Sequence, residues 1–150
     1  MTRDAAEDFV FEANPSPHDV QYLEERIYEH NSRATGIDDG EWLAVFVRDA
    51  GGRIVAGLCG STWGGGMEIR QLWVEESRRG RGLGSRLLAA AEREAVRRGC
   101  RQAFLSTFTF QAPEFYARRG YELVAEIDGY PRGHGNLLLR KRLDAPSQAR

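Results

Sequence analysis

The sequence predicts an α/β domain in which a mixed, mostly antiparallel sheet carries helices on both faces, and three observations lead there. Three β-prone runs, Trp42 to Arg48, Arg53 to Trp63 and Met67 to Val74, follow one another with only Asp49-Ala50-Gly51-Gly52 and the Gly64-Gly65-Gly66 turn between them, the pattern of an antiparallel meander. The first run is apolar at nearly every position from Trp42 to Val47, as expected of a strand covered on both sides, which requires helices on each face. A glycine-rich loop then leads from the third run straight into an amphipathic helical pattern.

Taken in order, a first strand is expected at Asp8 to Ala13, stopped by Asn14-Pro15. With Ser16 or Asp19 as N-cap, Val20, Leu23, Ile27 and Tyr28 then recur at helical spacing up to the region of Asn31 to Gly36. After the meander, Leu83, Leu87, Leu88, Ala91 and Ala95 mark a helix from Leu83 to Arg98 closed by Gly99. Gln102 to Thr107 reads as a strand, and Ala112 to Arg119 as a short helix with Pro113 in its first turn and Gly120 at its end. Tyr121 to Glu126 and Asn136 to Arg142 read as the last strands, joined by the loop 128–134. One domain over residues 1–143 with a polar tail at 144–150 accommodates all of these elements.

Composition narrows the class of partner. No apolar stretch approaches the ~20 residues of a membrane span, and the first residues are followed by acids, so no membrane is expected as partner and the cytoplasm is the expected location. Cys59 and Cys100 lack any C-x-x-C or Cys/His ligand spacing, which points to structural thiols and no metal. The net charge of −1 hides an asymmetry: residues 1–77 hold 6 Arg against 15 acids, net −9, and residues 78–142 hold 14 basic residues against 6 acids, net +8. A basic half suits a polyanion. The arginines are spread without interleaved stacking aromatics, so a small polyanion is expected and nucleic acid is not.

The loop Arg78-Arg79-Gly80-Arg81-Gly82-Leu83-Gly84-Ser85 is built to hold such an anion. Alternating glycines leave the backbone free to turn its N–H groups into one concavity, the following helix adds its own free N–H groups, and Arg79 and Arg81 bring charge. A Walker A loop is excluded because Lys141 is the only lysine, and a G-x-G-x-x-G dinucleotide loop because Ser85 stands where the last glycine belongs. What fits is R-x-x-G-x-G, filled by Arg79, Gly82 and Gly84, which resembles the acyl-coenzyme A signature of the GNAT superfamily of N-acetyltransferases. Phe115-Tyr116-Ala117-Arg118-Arg119-Gly120-Tyr121 is similar to that superfamily's F-Y-x-x-x-G-F/Y segment, and the element order resembles its fold over nearly the whole chain.

The resemblance implies acetyl-CoA as co-substrate, without a metal, and a sheet splayed at the cofactor cleft. Backbone groups of Leu72, Trp73 and Val74 would pair with the pantetheine amides, and Arg79, Gly80, Arg81, Gly82, Leu83, Gly84 and Ser85 would hold the pyrophosphate. Trp73 packs in the cleft or in the core on this reading. Tyr116 matches the family's general acid. Glu68, eleven residues before Arg79, has the offset of the catalytic glutamate in the histone-acetyltransferase branch, with a water chain, or simple pairing of Glu68 with Arg70 or Arg53, as the alternatives. Thr109 stands where many members carry a cofactor-contacting Asn, and Phe108 and Phe110 flank it as channel wall or core. The implied function is an N-acetyltransferase acting on a small-molecule or peptide amine, and the runner-up is a non-catalytic acyl-CoA-binding module. A homodimer is compatible with either. Glu24, Glu25, Glu29, Glu68 and Asp128, with Tyr130, would give the acceptor an acidic entrance.

Overall fold

Residues 9–143 are described by a computed structural model, and they divide between Ile37 and Asp38 into two units. In the first unit, α1 (Pro17–Thr35) begins where Ser16 accepts a hydrogen bond from the His18 N–H at 3.2 Å and Pro17 opens the first turn. It ends at Gly36 in the left-handed conformation (φ 71°), whose N–H bonds the Ser32 carbonyl. Of the two N-caps considered, Ser16 is the one used. The helix buries none of its own residues; Val20, Leu23 and Ile27 are exposed. Along its surface Arg26 pairs with Glu29 at 2.8 Å and Gln21 donates to Glu25.

The strand expected at Asp8 to Ala13 is not formed. Asp8 lies outside the described residues, and residues 9–13 are irregular with Phe9, Val10 and Phe11 exposed. A short apolar run becomes a strand only when another strand takes up its hydrogen bonds, and no ladder includes this segment. The tail from Asp144 lies outside the described residues.

The second unit is a six-stranded sheet of β1 (Glu41–Arg48), β2 (Ile54–Trp63), β3 (Gly66–Val74), β4 (Gln102–Phe108), β5 (Glu122–Asp128) and β6 (Gly135–Arg142), in the order β1-β2-β3-β4-β6-β5. All neighbours are antiparallel except β3 and β4. The crossover between that parallel pair contains a short 3₁₀ turn (Glu76–Arg78), the glycine loop and α2 (Leu83–Arg97). The connection from β4 to β5 carries α3 (Pro113–Ala117), shorter at both ends than expected, because tight turns at Arg118 to Gly120 take over before the Tyr121 N–H bonds the Tyr116 carbonyl. No described helix is long and apolar enough to cross a membrane.

Side-chain alternation sorts the sheet into two faces. Leu43, Ala56, Leu58, Met67, Ile69, Ala103, Leu105 and Leu139 join Leu87, Leu88, Ala91 and Ala95 of α2 in one buried cluster, so α2 covers this face. On the opposite face Trp42 and Phe46 remain 61% and 48% exposed. The apolar run of β1 is therefore divided between the two faces. Cys100 is buried with its thiol pKa pushed up by desolvation, Cys59 is half-buried, and both are free thiols.

One irregularity in β3 sets the geometry of everything beyond it. Cys59 pairs with Gln71 but Gly60 with Ile69, so Arg70 is an extra residue bulged out of the ladder with β2. At this shift the Glu68 carbonyl lies so close to Gly60 that a Cβ there would collide with it. The obstacle is backbone and cannot rotate away. Gly60→Ala is therefore expected to cost roughly 3 kcal/mol or more in equilibrium urea unfolding; wild-type stability for this variant would contradict the close approach.

Candidate active site

The pairing of β3 with β4 runs from Gly66↔Gln102 to Ile69↔Leu105 and stops. Both strands continue, β3 to Val74 and β4 to Phe108, each held only by its other neighbour. The sheet is thus open between its central strands. Alternate backbone groups of a strand point to each side, so Gln71 to Val74 present N–H and C=O groups to the gap. Leu72 and Val74 turn their side chains to the α2 face, where they pack on the core. Trp73, between them, points to the other face and is 49% exposed, so it lies at the gap and outside the core.

At the end of β3 the chain enters the glycine loop. Gly80 and Gly82 take the left-handed conformation, φ 74° and 77°, which a side chain would strain. Gly84 does not. Its requirement is proximity: a Cβ there would lie 3.4 Å from Cζ of Phe115, and so the start of α2 and α3 pack in close contact. No backbone N–H from Gly80 to Ser85 has an acceptor among the described residues, and the N-cap Gly82 offers no side chain to take one. The result is a run of donors at the positive end of a helix. Arg79 is anchored, its Nε donating to the Val74 carbonyl at 2.9 Å, and Arg81 makes no ion pair among the described residues. Leu83 packs against the core.

Tyr116 stands beside this loop on the α2 face. Its ring contacts Phe115 edge-on at 5.1 Å and Tyr121 at 5.7 Å, and its hydroxyl has no hydrogen-bond partner among the described residues. Burial raises its pKa above the ordinary phenol value. Two further groups hold it there, of whose members Arg119, Glu92 and Lys141 were not singled out as site residues from the sequence. Arg119 stacks on Phe115 at 3.8 Å and donates to the Ser85 hydroxyl and the Phe115 carbonyl, tying α3 to the first turn of α2. Its i, i+4 spacing from Phe115 was the available signal. Tyr121 donates to Glu92, which also pairs with Lys141 at 2.8 Å; these groups come from three separate elements, and no local pattern joins them.

Glu68 projects from the opposite face, in register with Phe104 at the closed end of the gap. Among the described residues it forms no ion pair, because Arg53 pairs with Glu75 and Asp49 and Arg70 lies 5.1 Å from the Trp42 ring. Thr109 is turned to the β5–β6 loop: its N–H bonds the Gly135 carbonyl and its Oγ1 accepts from the Gly135 N–H at 3.1 Å. Its hydroxyl proton remains available. Of the acids expected at an entrance, Glu25 and Glu29 have Arg26 as ion-pair partner. A cavity of about 250 Å³ at the other end of α2, lined by Thr62, Trp63, Arg98 and Cys100 among others, is remote from the gap; there Arg98 is bonded to Glu94, the Trp42 carbonyl and Thr62. No described cluster of His, Cys, Asp or Glu is arranged to hold a metal.

A sheet opened between its parallel pair, with a donor-rich loop and helix at the opening, defines an acyltransferase of the GNAT type. The sequence matches the family described as acetyltransferase (GNAT) family over residues 3–121, and the chain belongs to that family. It is 41% identical over 104 residues to blasticidin-S acetyltransferase of Streptomyces morookaense, covering 69% of this chain and 76% of that one. Among solved structures it is similar to an acetyltransferase from Agrobacterium tumefaciens (28% identity, TM-score 0.80, 91% of this chain and 99% of that one). It is also similar to one from Bacillus cereus (31%, TM-score 0.73, 89% and 98%).

Because desolvation disfavours the phenolate, Tyr116 is expected to stay protonated at pH values where exposed tyrosines ionise, near 10. Its folded pKa is above its unfolded one, so its contribution to stability is complete below about pH 10 and is lost as pH rises through the folded value. Ultraviolet difference titration of wild type against Tyr116→Phe should show the missing ionisation above pH 10; a transition at or below 10 would contradict this environment.

Proposed function

We propose that this acetyltransferase transfers the acetyl group of acetyl-CoA to a primary amine of a small molecule or exposed protein, by direct attack of the amine on the thioester. The observation that carries the reading is the unpaired donor run from Gly80 to Ser85 at the edge of an open strand pair. Its N–H groups, with Arg81, suit the pyrophosphate, and the free edge at Leu72, Trp73 and Val74 suits an extended amide chain such as pantetheine. The relative named for blasticidin S supports a small-molecule acceptor. The family match spans both units, which supports one catalytic domain over residues 1–143.

The chemistry follows from the two faces. An alkyl ammonium of pKa about 10 must lose a proton before it can attack, and Glu68, on the face opposite α2 and without an ion pair among the described residues, accepts it directly or through water. The amine nitrogen bonds to the thioester carbonyl carbon and sheds its second proton to water, the carbon–sulfur bond breaks, and the electron pair leaves on sulfur. Tyr116, on the α2 face and held neutral by burial, donates its proton to that thiolate, pKa about 8.5, and recovers one from solvent. With Tyr116 as acid on the α2 face and Glu68 as base on the other, this reading favours catalysis over mere binding.

Acetyl-CoA consumption with a panel of amines tests the reading as a whole; no turnover with any of them would refute it. Gly82→Asp, which puts a carboxylate among the loop donors, is expected to weaken CoA binding at least tenfold by calorimetry, and unchanged affinity in the folded variant would remove the loop from the site. Tyr116→Phe is expected to lower kcat by roughly 10-fold to 10⁴-fold with little change in CoA affinity. Glu68→Gln should be most impaired at low pH and recover as pH approaches the amine pKa; a profile parallel to wild type would assign the proton to another acceptor.

A further inference from the structure

Counted onward from the last paired residues, the two strands carry aromatic rings on the same face on either side of the gap. From the pair Glu68↔Phe104, four ladder positions along β3, leaving out the bulged Arg70, reach Trp73. The same four positions along β4 reach Phe108. Alternation puts both on the Glu68 face, away from α2. The glycine under Trp73's neighbour matters too: Gly57 pairs with Trp73, and the Phe46 ring lies across it, so one wall of the gap is an aromatic surface resting on β2.

The other wall is built outward from Phe108. Phe110 lies parallel to it, 4° between planes and 5.3 Å between centroids, and Tyr130 meets it edge-on at 5.6 Å. His134 in turn braces Phe110 edge-on at 4.9 Å. The segment bearing Tyr130 and His134 is fixed by the Gly129 N–H to His134 carbonyl and His134 N–H to Pro131 carbonyl hydrogen bonds, both 2.8 Å, and by the two hydrogen bonds between Thr109 and Gly135. Yet Phe110 and Tyr130 stay 54% and 56% exposed. Held rings that stack on one another and leave their outer faces bare, starting from a ring on the Glu68 face of β4, suit an aromatic ligand.

Resting on the acetyl-transfer reading above, we infer that the acceptor is an amine with a flat aromatic or heteroaromatic body, lodged between Trp73 and the Phe108–Phe110–Tyr130 wall with its amine directed toward Glu68. Ring stacking, and not charge alone, then selects the substrate.

Matched pairs of primary amines test this, such as 2-phenylethylamine against 2-cyclohexylethylamine, together with two longer aryl and saturated pairs. The saturated partner is the more hydrophobic and the more basic, so each kcat/KM is expressed per neutral amine, and a preference for the aryl member that survives this correction is a stacking effect. Wild type is expected to favour aryl members by about two- to tenfold in kcat/KM, and Tyr130→Leu and Phe110→Leu should each erase most of that preference while CoA affinity stays unchanged. Equal or reversed ratios in wild type, loss of both members alike in the variants, or turnover of aliphatic amines with none of the aryl amines would overturn the aromatic slot while leaving acetyl transfer intact. Absence of turnover with every amine overturns the reaction itself, a separate result.

Discussion

Backbone hydrogen bonds left unmade between β3 and β4 are the constraint on which the rest of this structure depends. Two parallel strands that pair over Gly66–Ile69 and Gln102–Leu105 and then part company expose polar backbone in the middle of a sheet, where each unsatisfied group costs free energy. The opening is tolerated because each strand keeps its outer partner, β2 on one side and β6 on the other. The Arg70 bulge changes the path of β3 just past the last paired residue, and Gly60 supplies the room that this path needs. A segment with unused donors and acceptors is a template for an extended ligand, and the loop that follows it is rich in donors of its own.

The loop and Tyr116 are mechanically one unit. Gly84 lets the Phe115 ring rest on the start of α2, and Arg119 holds that contact by stacking on Phe115 while bonding Ser85. Tyr116 lies next to Phe115, and its ring also abuts Tyr121, fixed through Glu92 to Lys141. A short helix of this length has little stability alone. Its position is set by these side chains, so the place that would receive the anion and the place that would deliver the proton keep a constant separation. On the far side of the sheet, Glu68 and the aromatic walls answer to a different set of contacts, through β1, β2 and the β5–β6 loop. This division suits an enzyme whose donor chemistry is common to its family and whose acceptor is its own.

Much of this was legible in local pattern. The meander, the helix from Leu83 and the last two strands rest on alternation, helical spacing and glycine punctuation, which are properties of neighbouring residues, and they formed within a residue or two of the expected bounds. The strand at Asp8 to Ala13 failed because strand formation needs a partner that composition does not reveal. The alternating glycines are expected from sequence to free the loop backbone, whereas the role of Gly84 is contact with Phe115, 31 positions away in the chain. The Arg70 bulge, the Glu92–Tyr121–Lys141 group and the shared face of Trp73 and Phe108 all arise from register between strands or from packing between elements. Such relations are tertiary, and only the folded backbone displays them. The family resemblance, by contrast, was carried by Arg79, Gly82, Gly84 and the segment Phe115 to Tyr121, short stretches whose spacing survives in a single sequence.

The claim that joins these observations is that one ligand occupies the free edge of β3 and the loop donors at the same time. Amide hydrogen–deuterium exchange with and without coenzyme A addresses it directly. The account predicts that bound coenzyme A slows exchange together in two segments, Leu72 to Val74 and Gly80 to Ser85, because both hold donors that find no acceptor among the described residues. Protection confined to other strands, or saturable binding that leaves both segments exchanging as before, would contradict it.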